Sequence, residues 1–256
     1  MVMKSLNTFI NGGTLTIPQA KQEFASILDG VSAAPNIKSD LNHLFQCALR
    51  YGNPTLFPTF NINKDNDNPL EYMNKWTERY LHAIKNKPSS RAAAIKNSVD
   101  DPILKIMIKT EKGFDDKQVD RALDDHNLYM SAENIQGSLL EEYIDTHISK
   151  YGWIWAEGET IRACDFIKYN AAEDKYDLLQ IKNKYNSENS SSSAIRKGKK
   201  ITKWYRLGQK KQDGKLIPAY QWKALNEVIG VENEMSEQDY VDFIMQAARK
   251  NKNLLI

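Results

Sequence analysis

The sequence predicts a mixed α/β protein, a sheet core flanked by helices, with a helical N-terminal subdomain. Three observations carry that expectation. Apolar residues recur at helical spacing through much of the first half, short alternating segments begin near residue 150, and a helix-start signature returns close to the C-terminus.

Pro18 to Leu28 carries Ala20, Phe24, Ile27 and Leu28 at helical spacing and stops before Gly30. Ser39 reads as the N-cap of a helix through Leu41, Leu44, Phe45 and Ala48, ended by Gly52-Asn-Pro54. Residues 61–68 are polar and lack the glycine and terminal glutamate of a calcium loop, so they read as an exposed loop. Pro69 to Lys87 is amphipathic, with Leu70, Met73, Trp76, Tyr80, Leu81 and Ile84 on one side.

The character changes near Ser131 to Gly137. A helix over Ser138 to Lys150 leads into Trp153-Ile-Trp155 and a turn at Glu157-Gly158. Ile161 to Tyr169 and Tyr176 to Lys182 then read as strands separated by the polar Asn170 to Lys175. A basic loop follows, and Ser236-Glu-Gln-Asp239 reads as a capping box opening a last helix through Val241, Phe243, Ile244 and Ala247. The expected division is a mainly helical region over 1–130 and a catalytic and recognition core over 131–256.

With 41% hydrophobic and 27% charged residues in 256, the composition is that of an ordinary globular protein. Net charge is only +2, so a surface for a polyanion must come from local clustering. Cys47 and Cys164 lie far apart, which argues against a disulfide framework and a cysteine metal site. His43, His82, His126 and His147 show no metal-ligand spacing either. No run suits a secretory leader or the ~20 apolar residues of a membrane span, so a soluble cytoplasmic protein is expected.

The chemistry concentrates between residues 137 and 211. Alternation along Leu178 to Lys182 places Gln180 and Lys182 on one strand face, opposite Leu179 and Ile181. In the preceding strand Ile161, Ala163 and Asp165 share a face. If the strands are neighbours, Asp165, the Gln180 carbonyl and the backbone carbonyl of Ile181 can ligate Mg²⁺ and leave room for water and a phosphate oxygen. Lys182 can then orient or deprotonate the attacking water. The bland reading of the same spacing is a strand with solvent-facing polar residues.

A further acid comes from the helix before it. Glu141 lies on or beside the stripe Gly137, Leu140, Ile144 and Ile148, where a carboxylate is costly unless paired or metal-bound, whereas Glu142 reads as solvated. The alternative for Glu141 is a stripe-edge residue reaching out to water. Downstream, the sixteen residues Arg196 to Lys211 hold eight lysines or arginines and no acid, with Trp204 and Tyr205 among them. Such density suits phosphate contacts, through Arg196, Lys197, Lys199, Lys200, Lys203 and Arg206, or simply a solvated basic face. The preceding Asn189, Ser190, Ser191, Ser192 and Ser193 read as a linker or as a loop reaching base edges.

Several words in this region occur together in a known family. Gly137-Ser-Leu-Leu-Glu-Glu-Tyr-Ile144, Gly152-Trp-Ile-Trp-Ala-Glu-Gly-Glu159, Ile161-Arg-Ala-Cys-Asp165 and Leu179-Gln-Ile-Lys-Asn183 resemble the SinI-type type II restriction endonucleases. So do Glu188-Asn-Ser-Ser-Ser-Ser193, Ile195-Arg196 and Lys203-Trp-Tyr-Arg206. The likeness covers roughly residues 135 to 210.

It implies a PD-(D/E)xK nuclease core and Mg²⁺-dependent double-strand cleavage of the palindrome GGWCC after the first G. A homodimer and a companion DNA methyltransferase are implied too. Asp165 matches the metal-binding acid and Lys182 the lysine of the xK pair. Two departures stand out: Cys164 replaces proline before Asp165, and Gln180 replaces the usual acid. A neutral amide is a poorer Mg²⁺ ligand, which raises the importance of Glu141 and leaves room for Mn²⁺ as a substitute. The family pattern favours Asn189 to Ser193 as a recognition loop. A structure-selective repair nuclease of the same fold, or a DNA-binding protein with a degenerate site, are the alternatives.

Overall fold

A computed structural model describes residues 2–52, 55–63, 68–92, 101–184 and 194–255. Two compact units divide the chain: residues 1–86 with 144–237, and residues 87–143 with 238–256. Residue 130, where the sequence suggests a boundary, falls inside a long helix.

In the first unit, β1 (Val2–Lys4) pairs antiparallel with β2 (Phe60–Ile62) beside four helices, α1 (Leu6–Asn11), α2 (Ile17–Gly30), α3 (Pro35–Arg50) and α4 (Pro69–Lys85). Ser39 does not begin α3: the helix starts four residues earlier at Pro35, whose fixed φ suits the first turn. Phe24 of α2 stacks on Phe45 of α3 at 3.8 Å, and Trp76 of α4 meets both edge-on. The Trp76 indole N–H donates to the Thr160 carbonyl at 2.9 Å, tying α4 to the segment that enters the site.

Five strands form the main sheet: β3 (Trp153–Trp155), β4 (Phe166–Asn170), β5 (Lys175–Lys184), β6 (Ile201–Gln212) and β7 (Lys215–Tyr220). They run in the order β3-β4-β5-β6-β7, parallel between β5 and β6 and antiparallel elsewhere. Two expectations are corrected here. The segment expected as a strand from Ile161 becomes one only at Phe166, because Ala163 turns the chain at φ +61°. The expected basic loop is largely β6, whose first half is held in register by β5 and whose second half returns as β7 through the turn at Asp213 and Gly214, both at positive φ.

The sheet register organises both faces, because residues paired across neighbouring strands project to the same side. On the front, Ile167 and Leu178 join the core formed with the four helices, and Ile201 packs against it. One step along β5, the front row turns polar with Gln180 beside Lys203; the next row holds Lys182 beside Tyr205. The back carries Leu179, Ile181, Trp204 and Arg206. The candidate site therefore begins where the front face passes from apolar to polar rows. Helix α7 (Trp222–Ile229) places Trp222 5.0 Å from Trp204.

The second unit contains α5 (Pro102–Lys112), most of α6 (Asp116–Ile148) and α8 (Glu237–Lys250). The helix expected over Ser138 to Lys150 is thus the end of a 33-residue helix. Ile135, Leu139, Ala247 and Leu254 form its core, with Phe243 and Ile244 against them. Among the described residues no helix is long and apolar enough to cross a membrane.

Candidate active site

Asp165 sits just before β4, where the chain peels away from β5. Its backbone N–H donates to the Leu179 carbonyl at 2.9 Å, and its Oδ2 accepts from the Ile181 N–H at 2.6 Å. The carboxylate thus takes up a β5 donor at the point where the β4 partner has turned off. Asp165 brackets Gln180, and Lys182 follows on the same face. Gln180 and Lys182 share one strand face, as alternation predicts, and Asp165 reaches the β5 backbone from a turn and not from a strand.

Burial pushes the Asp165 carboxyl up to about 6; the Ile181 N–H and the charge of Lys182 pull it down, and Glu157 pushes it further up. Glu157 is a residue that sequence reading passed over as part of a turn. It is buried, and Ala156 beside it donates its N–H to the Asp165 carbonyl at 2.8 Å. A second carboxylate pair lies in the same unit: burial raises Asp40 to about 6, with Asp145 adding to the rise. Only a helix-by-helix count of acids on inward faces would have flagged these groups. Cys164 is buried, which raises its thiol well above the usual range, and its sulfur lies 3.0 Å from the Phe166 carbonyl.

Gln180 is 4% exposed, and its Oε1 accepts from an Arg196 guanidinium N–H at 3.1 Å. Arg196, itself 9% exposed, belongs to the helical turn 194–196 that precedes β6. The basic residues therefore separate into distinct environments. Lys197, Lys200 and Lys203 are exposed, and the Lys199 ammonium donates to the Ile195 carbonyl at 2.9 Å. Arg206 is 6% exposed on the back face: its Nε donates to Asn183 Oδ1 at 2.9 Å and its other end pairs with Glu237, which also accepts from the Trp222 indole at 2.8 Å. Asn189 to Ser193 lie outside the described residues.

On α6 the expectation for Glu142 is corrected. It is 5% exposed, and its two oxygens accept from the Ser89 N–H at 2.7 Å and the Ser89 hydroxyl at 2.6 Å. The buried side of this helix includes Leu139 and Tyr143, so Glu142 turns inward with them while Glu141 stays half-buried. Among the described residues no three His, Cys, Asp or Glu side chains form a metal-binding group. Asp165 with a backbone carbonyl is nevertheless a hard oxygen donor set, which suits a small divalent ion completed by water and phosphate.

A buried acid against β5, a lysine on that strand and a basic segment beside it are the parts a nuclease site would need. The family model for the SinI restriction endonuclease matches residues 64–249, and the chain belongs to that family. It is 29% identical over 220 residues to the type II restriction enzyme SinI of Salmonella infantis, covering 85% of this chain and 91% of the relative. It is also 34% identical over 147 residues to the type II restriction enzyme Eco47I of Escherichia coli, covering 57% of this chain and 61% of that relative. The protein is a type II site-specific deoxyribonuclease acting on double-stranded DNA, a class that generally uses divalent metal ions.

Proposed function

We propose that this enzyme cuts both strands of GGWCC after the first G, as a homodimer, with Mg²⁺ as cofactor and Mn²⁺ as a substitute. The observation that supports the mechanism is that Asp165 meets the β5 backbone on either side of Gln180, with Lys182 two residues further along that strand. Asp165 and the Ile181 carbonyl would hold the ion; Glu141, the further acid proposed from the sequence, belongs to the other unit. Gln180 is the remaining oxygen donor proposed from the sequence, and its amide oxygen accepts from Arg196 at 3.1 Å. When bound, the ion supplies charge stabilisation to the phosphorus centre and acidifies water. Lys182 orients the water that attacks phosphorus, accepts or relays its proton, and offsets negative charge as the bond to the leaving deoxyribose oxygen breaks.

Lys197, Lys200 and Lys203 are the basic residues best placed for DNA phosphates, since all three are exposed and Lys203 shares the front face with Gln180. Asn189 to Ser193, between β5 and this basic segment, supply the recognition loop. The homodimer follows from the two equivalent halves of a palindrome. A surface for a second copy is offered by the second unit, where Ile103, Leu104, Ile106 and Met107 of α5 and Leu128, Tyr129 and Met130 of α6 are between 42% and 67% exposed. A companion methyltransferase protects the host's own sites and is not a stable subunit.

The test is digestion of phage DNA by the purified protein in Mg²⁺, followed by sequencing of the fragment ends. Discrete fragments that all begin within GGWCC are expected. A different shared end sequence would overturn the proposed site, and a smear would overturn site-specific cutting by these residues.

A further inference from the structure

We infer that the far half of the β6–β7 hairpin is a ribbon that enters the major groove of the DNA, where Gln209 and Lys211 read base edges. The inference rests on the reading of Asp165 and Lys182 as the cutting centre. It adds the tip of this hairpin to the recognition surface.

The geometry starts from the length of β6. Its pairing with β5 runs from Ile201 to Leu207, and from Leu207 to Gln212 it is paired with β7. On the back, the chain entering α7 still covers Gly208, where an added Cβ would meet the Gln221 amide nitrogen at 2.6 Å. Beyond that point residues 209–216 are all exposed, so neither side of the hairpin tip is packed on the core. A two-stranded ribbon open on both sides has the dimensions of an object that fits the major groove, which is about 12 Å wide.

Alternation decides which residues face the DNA. Lys203 and Tyr205 pair with Gln180 and Lys182, so Leu207, Gln209 and Lys211 continue the front side of the sheet. The strand rise puts Gln209 about 13 Å and Lys211 about 20 Å beyond the row of Lys182, a few base pairs along a duplex. A glutamine amide matches the N6 and N7 edge of adenine, and a lysine matches the O6 and N7 edge of guanine. Across from Lys211 stands Leu216, at 69% exposure the most exposed large apolar side chain among the described residues. The groove offers it thymine methyl groups. Over residues 209–218 three lysines stand against one aspartate, which suits a polyanion. Lysines also guard sheet edges against pairing with other chains, but a guard does not call for an exposed leucine beside them.

The experiment measures competitive cleavage by the full-length enzyme, in Mg²⁺, of short duplexes that carry the cut site read from its fragment ends. Each purine of the site is replaced in turn by its 7-deaza analogue, which keeps Watson–Crick pairing but removes the N7 acceptor from the major groove. The wild-type enzyme is expected to lose roughly tenfold or more in kcat/KM at the purines it contacts through N7. Gln209→Ala should lose that sensitivity at an adenine and Lys211→Ala at a guanine, each with kcat/KM on the unmodified site already lowered by a similar factor. Lys210→Ala, on the back of the ribbon, should keep the full wild-type pattern.

Gln209→Ala and Lys211→Ala enzymes that keep every wild-type N7 sensitivity would overturn the inference and leave the lysines as guards of a sheet edge. Loss of the pattern in Lys210→Ala as well would overturn the assignment of the front side to the bases. A wild-type enzyme indifferent to the 7-deaza analogue at every purine would overturn reading through the major groove. Failure of the wild-type enzyme to cut DNA at all would instead defeat the underlying reading of Asp165 and Lys182.

Discussion

The Ile181 backbone N–H donates to Asp165 Oδ2 at 2.6 Å, so the acid that holds the metal in our proposal also closes the hydrogen-bond ladder of β5 where β4 departs. One carboxylate is shared between fold and chemistry, and its pH behaviour follows from that. With burial raising it to about 6, Asp165 is largely protonated below that pH in the metal-free enzyme. At limiting Mg²⁺, cleavage should climb roughly tenfold per pH unit below 6 and level off above it, and saturating Mg²⁺ should move the shoulder to lower pH. A raised folded-state value also means that the folded protein binds this proton more tightly than the unfolded chain. Stability from this group is therefore lost as pH rises from the unfolded value toward 6. Asp165→Asn should abolish cleavage yet stabilise the metal-free protein at pH 7.5 by about 2 kcal/mol, as read by denaturant unfolding.

Lys182 acts on the attacking water, and its loss should be felt in the rate more than in binding. Lys182→Ala should slow cleavage by about 10³-fold or more while the enzyme still selects its site in gel-shift assays. Normal cutting by this variant would remove Lys182 from the mechanism.

Arg206 is enclosed by Asn183, Glu237 and the Tyr220 ring, whose centroid lies 5.5 Å from the guanidinium carbon. Arg206→Met should destabilise the enzyme by about 3 kcal/mol, because Glu237 is left without its cation. The salt dependence of DNA binding should not change. A slope lowered by about 1 would show that this residue contacts phosphate after all.

Glu142 and Glu141 should separate cleanly. Glu142→Ala leaves the Ser89 N–H and hydroxyl without their charged acceptor and should cost about 2 kcal/mol, with no change in the Mg²⁺ needed for half-maximal cleavage. Glu141→Gln should raise that Mg²⁺ requirement several-fold and leave stability almost unaltered. The reverse pattern would exchange their roles.

Gly158 lies at φ +72°, and a Cβ there would meet the Ala83 Cβ at 2.9 Å and the Arg79 carbonyl oxygen at 3.3 Å. Gly158→Ala should cost about 2 kcal/mol in thermal unfolding and loosen the turn between Glu157 and Asp165. An unperturbed melting temperature would show that α4 yields at no cost.

The sequence by itself determined what depends on near neighbours along the chain. Alternation over Leu178 to Lys182 put Gln180 and Lys182 on one face, and helical spacing placed Phe24, Phe45 and Trp76 in the core. The order of Asp165 and the xK-like pair resembled a family, and the family model matches the chain.

Tertiary structure decided what each charged group does once its distant partners arrive. Arg206 is taken up by Glu237, 31 positions away, and Glu142 by Ser89, 53 positions away. Arg196 reaches back 16 positions to Gln180. Periodicity records which way a side chain points, but not what waits there. A charge on a buried face is tolerated only with a partner, and the fold, by closing long loops of chain, is what supplies one.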